Sequence, residues 1–267
     1  ICACLVGSEM CIRDRESIAE ITPQTLLDCH RAFYVPSNMV LAVCGDVDPE
    51  LVAETAGRLM PSQYVAGAVP DYGEREGLEP VKTRAEARMD VSEPMFIAAA
   101  KLCTELPKSE EASRLINVGS LVVRCMLGRS SAFYNDLYAE GLLRGDFFRD
   151  VSPLAGTLLF ECGGASADPE RVFARLVDTL RDAAEHGIDG ETLERARRAD
   201  YGLTLRSLND PASVCSVLAS SHFGGYGFYE GFDILAGVTA DDVSGFVREY
   251  LNPERLVLST VLPKERT

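Results

Sequence analysis

The sequence predicts an α+β fold in which helices pack on one face of a mainly antiparallel sheet. Three observations lead there. A helix-proline-strand pattern occurs twice, near the start and at the end of the chain; predicted helices outnumber strands; and long helical stretches separate the strands. The composition is that of a folded protein, 267 residues with 46% hydrophobic and 25% charged side chains, which is ample chain for one or two cores.

The duplication sets the architecture. Residues 21–45, ITPQTLLDCHRAFYVPSNMVLAVCG, align without gaps on residues 238–262, VTADDVSGFVREYLNPERLVLSTVL. Thr22 falls on Thr239, Arg31 on Arg248, Pro36 on Pro253, Val40 on Val257 and Leu41 on Leu258. Thr22 and Thr239 are predicted N-caps, with Pro23 at the first helical position of one copy and Asp242 closing a capping box in the other. Apolar residues then recur at helical spacing: Leu26, Leu27 and Phe33 in the first copy, Val243, Phe246, Val247 and Leu251 in the second. Pro36 or Pro253 ends the helix, and an apolar strand follows, Met39 to Cys44 or Leu256 to Leu262. The second copy has room to close a whole unit, so the first copy is expected to be the tail of a preceding one.

Taken in order, residues 1–15, ICACLVGSEMCIRDR, lack the basic start and long apolar run of a secretory signal. They are expected to be a non-native, adaptor-derived tail, which removes Cys2, Cys4 and Cys11 from consideration as metal ligands. Residues 16–60 form the tail of the first unit and end in a helix from Asp48-Pro49 to Leu59. Residues 61–86, with Pro61, Gly67, Pro70, Gly73, Gly77 and Pro80, read as a linker, and residues 87–267 as the second unit. Its first strand is expected within 88–101. A helix over 110–127 carries a stripe of Leu115, Val118, Leu121, Val122 and Cys125. GRSSAF (128–133) reads as a capping turn, with Ser130 or Ser131 at the N-cap of the next helix. A strand covers 157–162, and helices run from Asp168-Pro169 to about His186, over 190–208, and from Asp210-Pro211 through Ser221. The glycine-rich stretch HFGGYGFYEGF (222–232) connects to the final repeated element.

Charge narrows the partners. A formal net charge of −15 repels nucleic acid and anionic membrane surfaces over most of the molecule, so neither is expected as a partner. Scattered cysteines in apolar stretches suit a reducing compartment, and a cytoplasmic location is expected.

Local motifs for chemistry are sparse. His30, His186 and His222 are the only histidines, none has a second His or Cys at zinc-ligand spacing, and H-x-x-E-H does not occur in the sequence. Cys29 and His30 are neighbours on a predicted helix and point about 100° apart, which is unsuited to a nucleophile and its base. GDVDP (45–49) is explained by a glycine turn and an Asp-Pro helix cap without any ion. GRSSAF lacks the second glycine of a nucleophile elbow, and both the phosphate-binding and dinucleotide-binding glycine motifs are absent from the sequence.

Three strings carry a family resemblance. ESIAEITPQTLLDCHRAFYVPSNMVLAVCGDVDPELV (16–52), LGRSSAFYNDLYAEGLLRGDFF (127–148) and GIDGETLERARRADYGLTLRSLNDPASV (187–214) resemble the M16 family of zinc peptidases, the insulinase and pitrilysin-like enzymes. They look most like the bacterial subgroup associated with elongation factor P aminopentanol modification, or processing-peptidase-like M16 proteins. The resemblance implies an M16-type, LuxS/metallohydrolase-like fold: one complete copy plus the tail of a preceding copy, from a protein truncated at its N-terminal side. It also implies a chamber for a peptide or protein substrate, enclosed by two related domains.

The family's zinc is held by an inverted H-x-x-E-H motif and a downstream Glu in the N-terminal domain. No residue of this sequence matches them, so no catalytic or metal-ligating residue is expected in this chain. The resemblance does imply substrate-holding residues. Many members carry an Arg and a Tyr six positions apart in a string like Leu-Arg-Glu-x-Gly-Leu-x-Tyr. The matching positions hold Tyr138 and Arg144, a swapped pair that either faces the substrate or is simply a helix-face tyrosine and a solvated arginine. The expected role is the C-terminal portion of a zinc metallopeptidase. The alternatives are a silent subunit paired with a second M16 chain as a homo- or heterodimer, and a non-proteolytic accessory protein.

Overall fold

Five strands assemble into one mixed sheet in the order β1-β5-β2-β4-β3. The computed structural model describes residues 18–60, 77–107, 110–154, 156–225, 227 and 229–264. The expected 1–15 tail and residues 61–76 of the expected linker lie outside them. In chain order the elements are α1 (Pro23–Phe33), α2 (Pro49–Leu59), β1 (Arg84–Met89), β2 (Met95–Cys103), α3 (Glu110–Leu127), α4 (Ala132–Ala139), β3 (Leu143–Leu154) and β4 (Thr157–Ser166). They continue with α5 (Pro169–His186), α6 (Gly190–Ser207), α7 (Pro211–Gly224), α8 (Glu230–Gly237), α9 (Ala240–Tyr250) and β5 (Val257–Pro263). Only β1 and β5 run parallel; the other neighbours are antiparallel.

Period-two alternation along β2 puts Phe96, Ala98, Ala100 and Leu102 into the main core and Ala99 into a small cluster with Val257 on the other face. Above the first face lies α3, whose expected stripe is buried at Val118, Leu121, Val122 and Cys125. Around it α5, α6, α8 and α9 complete the layer. Caps fall where sequence chemistry requires them: Ser131, Asp168, Asp189 and Asp210 each accept a backbone N–H in the first turn of their helix, and three of those helices begin at or next to proline or glycine. No described helix is long and apolar enough to cross a membrane.

Several elements differ from expectation. The single strand over 88–101 is two, β1 and β2, which flank β5 and run in opposite directions, the chain reversing over residues 90–94. β1 opens at Arg84, inside the expected linker, because residues 84–89 pair with β5 along its free side. β3 is a strand that the sequence did not announce. The expected 157–162 strand continues through Gly163 and Gly164, where a Cβ at Gly164 would lie 2.5 Å from the Asp146 carbonyl oxygen. α7 runs to Gly224, and Gly225 at φ +73° closes it; α8 occupies the end of the expected glycine-rich connector and beyond.

The two copies of the repeat share local structure and differ in packing. Each has a capping box, Thr22 with Thr25 and Thr239 with Asp242, and each ends in a 3-10 turn, Pro36–Asn38 or Pro253–Arg255. In the second copy α9 buries Val243, Phe246 and Val247, and β5 is an internal strand. The first copy buries almost nothing. Val243 is 0% exposed where its counterpart Leu26 is 61% exposed, and Leu258 is 0% where Leu41 is 61%. Residues 39–44, expected as a strand, pair with no strand among the described residues and so form none.

Candidate functional site

The residues named by the family resemblance lie at the α4–β3 corner. Ser131 caps α4, Tyr134 and Tyr138 stack one turn apart with ring centroids 6.1 Å apart, and Tyr134 also packs against Phe147. Gly141 at φ +70° turns the chain, letting the Leu142 N–H reach the Leu137 carbonyl at 2.9 Å. Leu142 and Leu143 are then buried, and Arg144 emerges in register with Ala165 of β4. Tyr138 is 62% exposed, and Arg144 is exposed. Their side chains make no hydrogen bond or ion pair among the described residues, so the structure places both at the surface without joining them.

The histidines stay apart. His30 stacks on Tyr34 at 4.7 Å, His186 has its Nδ1 2.9 Å from the Asp182 carboxylate at the end of α5, and His222 meets Phe223 edge-on. Among the described residues no group of three or more His, Cys, Asp and Glu is placed to hold a metal ion. Zinc therefore has no fitting donor set in the described part of this chain.

The polar cavities converge instead on Arg124. This arginine interrupts the apolar run VVRCML at the end of α3, and its Nη2 lies 2.5 Å from the Asp200 carboxylate of α6. Its Nε is buried with no hydrogen-bond partner. On one side a cavity of about 410 Å³ is lined by Asn117, Ser120, Arg124, Arg149, Val151 and Asp200. Arg149 reaches it from β3: it pairs with Cys162, and strand alternation puts it on the same face as the buried Phe147 and Val151, towards α3. Arg149 makes no hydrogen bond or ion pair among the described residues. Burial first, then the neighbouring Arg124 and Arg129, pull its pKa below the ordinary arginine value.

On the other side a cavity of about 630 Å³ opens between α3, α4, α5 and α6, with Cys125, Asp136, Arg175, Asp189 and Arg195 among its walls. Arg171 and Arg175 of α5 both reach Glu140, at 2.7 and 3.3 Å, and tie α5 to the end of α4. Cys125 is no nucleophile: burial, reinforced by Asp189, pushes its thiol up to about 12, so it stays protonated at neutral pH. Both cavities offer donors and acceptors for recognition rather than an activated attacking group. The sequence signal for Arg124 was present, a single charge inside an apolar helical run. Arg149 carried none, because β3 itself was not expected.

With this geometry in place, the comparisons decide the family. Residues 20–199 match the family model described as the Peptidase M16 inactive domain. The chain belongs to the peptidase M16 family. It is 27% identical over 253 residues to a protein of Bacillus subtilis named the uncharacterized zinc protease YmfH, covering 93% of this chain and 58% of that protein. A structure from Alicyclobacillus acidocaldarius described as an M16-like peptidase superposes with a TM-score of 0.85 at 26% identity, over 93% of this chain and 60% of that one. A Pseudomonas fluorescens structure described as a peptidase M16 inactive domain shares the fold, with a TM-score of 0.74 at 17% identity over 93% of this chain and 59% of the other. The M16 chain thus spans under two thirds of the length of these relatives.

Proposed function

We propose that this chain is the C-terminal, non-metal-binding part of an M16 zinc metallopeptidase, in which it helps to enclose and hold a peptide or protein substrate. In this reading residues 18–60 close a preceding α+β unit that contributes the catalytic zinc. The carrying observation is the unequal burial of the two repeat copies. The same capping box, 3-10 turn and following segment that sink into the core at 239–263 stand exposed at 22–44. Neither α1 nor α2 packs substantially against another helix or strand of the described chain. Each large apolar side chain left in water forgoes roughly 1.5–3 kcal/mol, and Leu26, Leu27, Phe33, Met39, Leu41 and Val43 are all over 40% exposed. A preceding sheet that accepts 39–44 as an inner strand would recover this, as the second unit does with β5.

The sequence strings at 16–52 and 127–148 support placement in the bacterial elongation factor P-associated subgroup, with a cytoplasmic location and a second M16 chain as partner. Tyr138 and Arg144, both surface-exposed, are proposed to touch the substrate backbone from the α4–β3 corner.

The test compares the 267-residue chain with the complete protein. The chain alone is expected to hold no stoichiometric zinc by elemental analysis and to hydrolyse no peptide, whereas the complete protein does both. Stoichiometric zinc with peptidase activity in the chain alone would overturn the division of labour. A complete protein with neither would point to the silent-subunit or accessory role.

A further inference from the structure

We propose that the cavity between α3 and β3 is a carboxylate-binding site, in which Arg149 and Arg124 receive the C-terminal or acidic side-chain carboxylate of a peptide. The proposal rests on the peptide-holding role above for the identity of the ligand, and on the geometry of this cavity for its chemistry.

The cavity collects donors that nothing in the described chain uses. Arg149 brings a guanidinium with no acceptor, from the core-facing side of an edge strand. Arg124 spends its Nη2 on Asp200 at 2.5 Å but leaves its Nε buried and unpartnered. The Ser120 hydroxyl shares the same wall, and its side chain makes no hydrogen bond among the described residues. Of these donors Arg124 Nε is the one fully buried, and native proteins rarely bury an unmet donor; Arg149 and Ser120 are half-buried. A cavity of about 410 Å³ has room for an acceptor to meet these.

Charge fixes the class of that acceptor. Asp200 already offsets Arg124 at 2.5 Å, and Asp150, the other acid of the lining, makes no ion pair with Arg149, so the Arg149 guanidinium is the cation left to receive an anion. A monoanion balances it; a phosphate dianion would add excess negative charge beside Asp200 and Asp150, which also line the site. A planar carboxylate matches the planar guanidinium fork, and charge-assisted bonds of this kind are about twice as strong as neutral ones. Arg129 adds to the positive field around Arg149, although its own side chain is 76% exposed and sits 3.8 Å from Asp146. The chain as a whole carries −15, so acidic ligands are repelled at long range. Within a Debye length of about 8 Å the nearest cation without an ion pair is Arg149, so attraction of a carboxylate is confined to this cavity.

The experiment follows the arginine Nε–H signals by NMR in the 267-residue chain during titration with acetate and with three short alanine-based peptides. One peptide ends in an amide, one in a free carboxylate, and one in an amide but with a glutamate side chain. The Arg149 and Arg124 signals are expected to move with at least one carboxylate-bearing peptide and not with the neutral amide, and which of the two acts identifies the source of the carboxylate. Arg149→Gln should weaken that binding about tenfold and silence the response at Arg124, while Arg149→Lys, which keeps the charge but loses the fork, should fall between. Equal responses to all three peptides, or affinity unchanged in Arg149→Gln, would overturn the proposal. Peptides that shift only signals elsewhere overturn this site and leave the peptide-holding role standing. Acetate that moves Arg149 when no peptide does upholds the carboxylate site and overturns its peptide ligand.

Discussion

Gly119 shows how tightly the second unit is fitted at single atoms. It lies in the middle of α3, where that helix crosses both α9 and β3. A Cβ added there would come 2.8 Å from Phe246 Cζ and 2.8 Å from Val151 Cγ1. Both neighbours are buried, at 3% and 3% exposure, so neither can swing aside into solvent. Replacing a mid-helix glycine by alanine ordinarily gains about 1 kcal/mol of helix propensity, yet overpacking a filled core costs about 1–3 kcal/mol. Gly119→Ala is therefore expected to destabilise the chain by up to about 2 kcal/mol, read as a lower urea midpoint at unchanged slope. A variant more stable than the parent would show that the α3–α9–β3 crossing has slack.

At the scale of elements, caps carry pH dependence. Asp242 closes the capping box of α9: its carboxylate accepts the Thr239 hydroxyl at 2.7 Å and the Thr239 backbone N–H at 2.8 Å, and pairs with Arg114 of α3 at 2.8 Å. The Thr239 side chain first, then the Thr239 backbone, with Arg114 adding a smaller share, hold its pKa below the usual carboxylate value. A carboxylate depressed in the folded state contributes its stability in full above the unfolded pKa of about 3.9 and loses it as pH falls through the lower folded value. Asp242→Ala should thus cost about 1 kcal/mol at pH 7, and the gap between variant and parent in thermal melts should shrink as pH drops below about 4. A gap independent of pH would mean that packing, not the ionised cap, holds α9. These caps are also why the helices were legible in the sequence: Asp48-Pro49, Asp168-Pro169 and Asp210-Pro211 mark helix starts by local chemistry alone. Where structure depends on distant partners, the sequence was mute. β3 reads LRGDFFRDVSPL, and the register shift after Arg144 breaks its alternation, so no period of two survives to be seen. Residues 39–44 have the opposite history: their apolar run promises a strand, but a strand requires neighbours that the described chain does not provide. The Arg124–Arg149 cavity was hidden for the same reason as β3, since its two arginines meet only after the sheet has formed.

Across the whole molecule, stability and exposure are unevenly distributed. All the buried residues of the main core lie at 96 or beyond, and Val35, at 7% exposure the one buried hydrophobic residue among 18–60, lies outside it. Helices with no buried residue add little to the cooperative unit, because helical stability in proteins comes mostly from packing an apolar face. The same segment nevertheless presents a run of exposed large apolar side chains, from Ile18 to Met60, which favours self-association. Removing residues 1–60 should therefore leave the melting temperature of the remainder within about 2–4 °C of the parent, a change of about 1 kcal/mol or less for a domain of this size. It should also reduce concentration-dependent association in sedimentation. Hydrogen exchange gives the complementary reading: amides of α1 and of 39–44 are expected to exchange far faster than those of β2 and α3 in the isolated chain, and to become protected in the complete protein. A truncated chain that fails to fold would show that residues 1–60 belong to the second unit's own cooperative core. In that case the exposed repeat copy would be a structural part of this domain instead of the closing element of another.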